Sequence, residues 1–346
     1  MPRQPVFWLR LSIIALLIGL VSQVTAIYLP IILSVILFFL LNPVVDGCCQ
    51  LPLRFGRDEL PRPVGILIAF AISALVLMMI GTFILLPFIR EFDKFVIDLP
   101  QLMRKLQLLT LAIEQRATAI EIPDNVRDLV NQGISQATSF SVNLAQRMVN
   151  AIFAFASQVV ELVVVPVLTY YLLKDWQSLR TGFINAFSTH YRGVISQVLQ
   201  DMGNVVSGYI QGQILISLIM GILIFIGMLV LGVDYPLVLG LLAALTETIP
   251  VVGPIIGAVP AIVLAFIVSP ELAVKVVIFY ILIQQVENHL IVPKIMGHTI
   301  DLHPILVVVS LLIGGSLYGV VGMMVAVPAA ALLRVLARHL WYYGER

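Results

Sequence analysis

The chain has 346 residues, 60% of them hydrophobic and 11% charged, with a mean hydropathy of +1.05. So apolar a composition excludes an ordinary soluble domain and marks a polytopic membrane protein. A formal net charge of +1 and a pI near 7.8 give no electrostatic basis for a nucleic-acid partner.

Val6 to Ile27 and Tyr28 to Val45 read as a tight pair of membrane helices separated near Tyr28-Leu29-Pro30, with Asn42-Pro43 ending the second. Pro5 to Ile27 imitates a signal peptide. Its length and the lack of a small-residue cleavage site make it the first anchor instead. Cys48 and Cys49, the only cysteines, are adjacent and read as thiols rather than a cross-link. The following linker carries Arg54, Arg57 and Arg62 among Pro52, Pro61 and Pro63, which suits a cytoplasmic loop.

Val64 to Leu86 is the third crossing, and after Pro87 the composition changes abruptly. From Arg90 to Arg147, seven acids and seven bases interleave with apolar residues, as in a wet helical insert. Leu99, Leu102, Met103 and Leu106 follow helical spacing, and Pro123-Asp124 starts a second insert helix. Their apolar stripes pack on each other or form a partner-binding face. Ile152 to Leu173 is the fourth crossing, with Glu161 in mid-segment as either a functional carboxylate or a structural one. Trp176 to Val206 has the alternation of amphipathic interfacial helices.

Tyr209 to Leu231 is an intact crossing, but the apolar run from Pro236 to Val268 is too long for one and is broken in the middle. Pro250 and Pro254 remove backbone donors, and Gly253 and Gly257 permit a sharp reversal, so this run is expected to fold as a hairpin. Irregular backbone at membrane depth normally lines a site. Thr246, Glu247 and Thr248 lie at that break. A second unit repeats the design, with an intact helix from Ala273 to Val292 followed by His303 to Leu336, which carries Gly314-Gly315, Gly319, Gly322 and Pro328. Ala326-Val327-Pro328-Ala329 repeats the tetrapeptide Ala258-Val259-Pro260-Ala261, although the flanking glycines align only with a shift.

The hairpin tips are therefore placed at Pro250, Gly253 and Pro254, and at Gly314, Gly315 and Gly319. Two re-entrant hairpins keep Lys294, Arg334 and Arg338 on the same side as Arg10, Lys174 and Arg180, as the positive-inside rule asks. Parity alone leaves uninterrupted crossings open. With hairpins, the two helix-plus-hairpin units have opposite orientation, the inverted-repeat logic of secondary transporters.

Gln284, Gln285, Glu287, Asn288 and His289 form the densest polar cluster within an apolar helix. Spacings of three and four put Gln284, Glu287 and Asn288 on one stripe, facing a substrate cavity or serving as polar glue between helices. Gln211 and Gln213 add amides, which bind neutral polar groups. With Glu247 and Glu287 they suit a hydroxylated solute, while the two carboxylates also suit a cation or proton. His298 and His303 lack a compact ligand set, so neither metal nor cofactor is expected. H-E-x-x-H, G-x-S-x-G and G-x-x-x-x-G-K-[ST] are absent, so no enzyme activity and no ATP-driven pump are expected.

Tyr209-Ile210-Gln211-Gly212-Gln213, Ile249 to Pro254, Gln284 to Asn288 followed by Pro293, Leu302-His303-Pro304 and Gly314 to Gly319 occur in an order that resembles the autoinducer-2 exporter family. The resemblance implies a bacterial inner-membrane permease with both termini cytoplasmic, about eight membrane segments and elevator-like hairpins. It also implies a homo-oligomer, with a pentamer among the candidates. Autoinducer-2-like solutes and sodium or lithium exchange for protons are the two activities it implies, and a non-transporting scaffold is a third reading.

The expected fold is thus all-α and divides into membrane helices 1–3 (1–89), a helical extracytoplasmic insert (90–149), and helix 4 with amphipathic helices (150–207). A helix with the first hairpin (208–270), a helix with the second (271–338) and a cytoplasmic tail (339–346) complete it. Gln213, Thr246, Glu247, Thr248, Gln284, Glu287 and Asn288 are the expected solute- or ion-binding residues, with Na+ or H+ as coupled ion and the lipid bilayer as surroundings.

Overall fold

The computed structural model describes residues 28–50, 60–119, 132–133, 135–136, 139, 143, 159–297 and 302–341. Among them all regular structure is helical, with ten α-helices and two π-helical turns and no strand. The helices are α1 (Tyr28–Cys49), α2 (Arg62–Ile80), α3 (Leu86–Ala119), α4 (Val159–Asn185), α5 (Arg192–Leu231), α6 (Pro236–Glu247), α7 (Val252–Val268), α8 (Pro270–Val286), α9 (Val292–Met296) and α10 (Pro304–Trp341). Among the described residues, five helical runs are long and apolar enough to cross a bilayer: Pro30–Cys49, Arg62–Asp98, Arg192–Leu231, Pro270–Met296 and Pro304–Trp341. The expected first anchor, the 51–59 stretch of the linker, the second insert helix after Pro123, the start of the fourth crossing at Ile152, His298 and the end of the tail lie outside the described residues.

The chain divides into two compact units, residues 1–71 with 153–187, and residues 72–152 with 188–346. In the first, α1 packs on α4 around Phe38, Leu41, Val45 and Leu173, with Ile66 and Ala69 from the start of α2. Polar groups tie these helices together. Ser34 Oγ donates to Pro30 O (2.6 Å) and is also within reach of Val165 O (3.2 Å). Arg62 donates from Nε to Leu173 O (2.8 Å) and from Nη2 to Asn42 Oδ1 (3.0 Å), with Asp46 3.5 Å away. Asn42-Pro43 was expected to end its helix, but α1 runs through Pro43 to Cys49. Packing of the following turn, where Val45 is fully buried, outweighs the one missing backbone donor. Glu161 lies in α4, which continues past Leu173 to Asn185.

In the second unit α5 is the central strut, packed along α6 and also against α8, α9 and α10. It begins at Arg192, so residues expected to form separate amphipathic segments are an extension of this helix. Its upper half contributes Ile224 and Met228 to the largest core, with Leu239 and Ala243 of α6, Ala261 and Ala265 of α7 and Val276 of α8. Phe88, Phe92 and Phe95 of α3 enter the same core, and their spacing puts one apolar face of α3 inward. Of the expected insert stripe, Leu102 packs against this core.

Pro87 does not end the third apolar helix. A π-helical turn at Gly81–Leu85 precedes it, the Leu86 N–H reaching back to Gly81 O. The wider turn makes room where a proline ring would clash with a regular α-helix, and the helix carries on. The pattern recurs at Glu287–Ile291, where Val292 N–H bonds to Glu287 O just ahead of Pro293. Both π-turns end two residues before a proline.

Three caps fix where the short helices begin. Glu91 Oε1 of α3 accepts the N–H groups of Leu237 (2.8 Å) and Val238 (3.1 Å), capping α6 from a distant part of the chain. Tyr235, at a left-handed φ of 59°, donates its hydroxyl to Asp98 Oδ2 at 2.7 Å. Partial burial, with the Asp98 carboxylate beside it, holds that phenol above the usual tyrosine range. Ser269 Oγ accepts Leu272 N–H (3.1 Å) to start α8, and His303 Nδ1 accepts Ile305 N–H (3.3 Å) at the head of α10.

Candidate functional site

Backbone contact between α5 and α6 sets the site's register. A Cβ on Gly221 would lie 2.6 Å from Ala244 Cβ, and one on Gly240 would lie 2.7 Å from Phe225 Cβ, so neither position admits a side chain without a shift. The helices run antiparallel from this contact, which brings Gln213 of α5 opposite Glu247 at the end of α6. Gln213 Nε2 donates to the Glu247 carbonyl at 2.7 Å, satisfying one of the acceptors a helix C-terminus leaves open.

Between α6 and α7 the helix breaks at Thr248–Val251. Val252 N–H bonds to Pro250 O at 2.7 Å across Val251, whose φ of 67° and ψ of −47° are those of a strained γ-turn. A β-branched residue rarely adopts this conformation, and strain of this kind concentrates at functional sites. The positive φ that sequence reasoning expected of the tip glycines thus falls on Val251. Gly253 has a different role: a Cβ there would collide with Thr246 O, and one on Gly257 would lie 2.9 Å from Thr246 Oγ1 and 3.4 Å from Ala243 Cα. The pairing of 253 with 246 and of 257 with 243 shows α6 and α7 lying antiparallel. Val251→Gly should relieve the turn and raise the stability of the purified protein by about 1 kcal/mol. An unchanged or lower thermal midpoint would show that Val251 is not strained.

Glu247 is 3% exposed and Glu287 5%, and the two carboxyls are close neighbours. Two ionised carboxylates are acceptors only, so a direct hydrogen bond between such neighbours needs a shared proton. Gln284 Nε2 donates to Glu287 Oε2 at 2.8 Å, and neither carboxyl pairs with a base among the described residues. Tyr280 of α8 reaches Gly257 O of α7 at 3.4 Å. A buried acid pair with amide donors and no counter-charge can hold a proton or a small cation, or accept hydrogen bonds from a solute. Among the described residues no group of His, Cys, Asp and Glu is arranged to hold a metal ion in a cage of three or more.

The structure therefore joins Gln213, Glu247, Gln284 and Glu287. Thr246 and Thr248 sit beside them, but Thr246 Oγ1 bonds back to Leu242 O (3.0 Å) and Ala243 O (3.2 Å) of its own helix. Asn288 is exposed, so it does not join the buried acid pair. Gln211 bonds Ser207 Oγ at 3.0 Å, away from the acid pair. Pro250 is in the first break, and Gly253 and Pro254 are in the opening turn of α7.

Of Gly314, Gly315 and Gly319, only Gly319 is at the second break, and Gly314 and Gly315 lie in the helical arm before it. Tyr318 (φ −136°, ψ 20°) and Gly319 (φ 58°, ψ −136°) are non-helical, the latter in a conformation that favours glycine. A Cβ on Gly314 would run into Gly322 O, and one on Gly322 into Gly314 O. In a straight helix these residues would be about 12 Å apart, so the chain doubles back between them. Leu311 and Val327 from the two arms converge with Ile249 of the first break on Tyr209 of α5. Sequence reasoning assigned no role to Tyr209, Ser217, Tyr280 or Val251. The four-residue spacing of Tyr209, Gln213 and Ser217 was the available signal, a polar stripe on an apolar helix.

Residues 11–341 match the model of the family described as AI-2E family transporter. The provisionally named transport protein YueF of Bacillus subtilis (strain 168) is 29% identical over 96% of this chain and 90% of its own length. A second Bacillus subtilis relative, the provisionally named transport protein YrrI, is 29% identical over 91% of this chain and 87% of its own. The provisionally named permease PerM of Escherichia coli (strain K12) is 24% identical over 94% and 91% respectively.

Proposed function

The chain belongs to the AI-2E transporter family, and on that footing we propose that it is a secondary carrier for small polar solutes, with autoinducer-2-like signals as the first class to test. One observation carries this reading: a polar cluster at a break between two short helices, with Gln213, Glu247 and Glu287 buried and Gln284 partly so. Lengths of about 18 Å for α6 and about 25 Å for α7 leave each arm short of a bilayer core of about 30 Å. Antiparallel arms of that length suit a hairpin that enters and leaves on one side. The doubled-back α10 suits a second.

On this proposal there are eight membrane segments and both termini are cytoplasmic, with Lys294, Arg334 and Arg338 on that side of a bacterial inner membrane. Gln213, Thr246, Glu247, Thr248, Gln284, Glu287 and Asn288 border the cargo route. Movement of the hairpins past a fixed scaffold would alternate access in an elevator-like manner, within a homo-oligomer. Proteoliposomes preloaded with autoinducer-2 test it. Saturable efflux that protein-free vesicles lack is expected, and no flux above that background would sink the carrier reading for this class.

The acid pair favours a second reading, a sodium/proton antiporter. Glu247 and Glu287 would release their proton as sodium enters between them. Sodium-dependent proton movement in vesicles without organic solute separates this reading from the first.

A further inference from the structure

Tyr209 and Ser217 present an anomaly next to the acid pair. Tyr209 is 4% exposed and Ser217 8%, yet neither hydroxyl has a hydrogen-bond partner among the described residues. Native chains leave few buried polar groups unpaired. Here two occur on one face of α5, four residues to either side of Gln213.

A local partner exists for such groups and is used elsewhere in this chain. Ser34, Thr169 and Thr246 each bond the carbonyl four residues back, at 2.6, 2.8 and 3.0 Å. Ser217 does not. Tyr209 has its ring among Ile249, Leu311, Ala326 and Val327, which explains why the ring is buried but not why it carries a hydroxyl. Phenylalanine would fill the same apolar space.

Register places both hydroxyls along the cargo route. With Gly221 against Ala244 and Gln213 against Glu247, Ser217 falls between these two contacts. Tyr209 is one turn beyond, where the two helix breaks converge. We propose that Tyr209 and Ser217 are cargo-contacting residues, which with Gln213 between them form an uncharged rail that hydrogen-bonds an uncharged, hydroxylated solute as the two breaks part. A hydroxyl both donates and accepts, so alcohol and carbonyl oxygens fit equally well, and no fixed charge on the rail demands one on the cargo. This inference rests on the carrier reading above.

Tyr209→Phe and Ser217→Ala remove one oxygen each and test it in proteoliposomes, with autoinducer-2 and ribose as probes. Each variant is expected to raise KM roughly fivefold, the worth of one neutral hydrogen bond, with Vmax within about twofold of the parent. Thermal unfolding of the purified variants without probe supplies the structural control. It should be unchanged or shifted upward, because an unpartnered oxygen has left the interior. If the parent moves a probe and both variants keep its KM, the rail proposal is overturned while the carrier reading stands. If the parent moves neither probe, the reading for this solute class and the rail proposal fall together.

Discussion

Glu247→Gln and Glu287→Gln are each expected to lower coupled transport by at least about 100-fold, the equivalent of roughly 3 kcal/mol at a buried, hydrogen-bonded acid pair. The two carboxyls are buried neighbours and lack a basic partner among the described residues. Glutamine keeps the volume and the hydrogen bonding, so the fold survives, but an amide cannot hand over the proton or bind a cation by charge. Function at such a pair belongs to both members. The double variant should therefore be no worse than either single one, as for residues acting as a unit. Two independent losses that multiply in the double variant would show that the residues act separately. Flux within twofold of the parent in either single variant would remove the acid pair from the mechanism.

Much of this arrangement was legible in the chain. Pro250, Gly253 and Pro254 interrupt an apolar run too long for one crossing, and Gly314, Gly315 and Gly319 interrupt another. In the structure both runs are broken, at Thr248–Val251 and at Tyr318–Gly319, because proline and glycine act on backbone geometry directly. Gln284 and Glu287 share a helix face at a spacing of three, and they are hydrogen-bonded as that spacing implies.

What was not legible depends on contacts distant in sequence. The γ-turn falls on Val251, a residue whose own preferences oppose it; the packing of α7 on α6 through Gly253 and Gly257 imposes it. The two π-turns change hydrogen-bond register without changing hydropathy, so no hydropathy pattern reveals them. Pro43 was expected to end a helix because a proline alone weakens one, and the third crossing was expected to stop at Leu86, before Pro87. Surrounding structure carries both helices onward, through a buried turn around Val45 and a π-turn at Gly81–Leu85. The meeting of Glu247 with Glu287 follows from the packing of α6, α7 and α8, which no local pattern encodes.

Gly322→Ala is expected to disrupt the second helix break, lowering stability by about 3 kcal/mol and the thermal midpoint by roughly 5 °C. The added carbon would collide with the Gly314 carbonyl oxygen, and it would lie 2.7 Å from the Gly314 carbonyl carbon and 3.0 Å from Tyr318 Cβ. Two of these three atoms are backbone, so no rotamer change relieves them. Gly315→Ala provides the contrast. Its new carbon would lie 3.2 Å from Met323 Cγ and 3.5 Å from Met323 Sδ, the body of a flexible side chain that can yield by a few tenths of an ångström. The neighbouring substitutions share composition and helix propensity, so only the doubled-back geometry ranks Gly322→Ala far below Gly315→Ala. A straight α10 would separate Gly314 from Gly322 by about two turns and make both changes mildly stabilising, as alanine is in a helix interior. Equal midpoints for the two variants would therefore refute the reversal at Tyr318 and Gly319. The convergence of both breaks on Tyr209 would go with it.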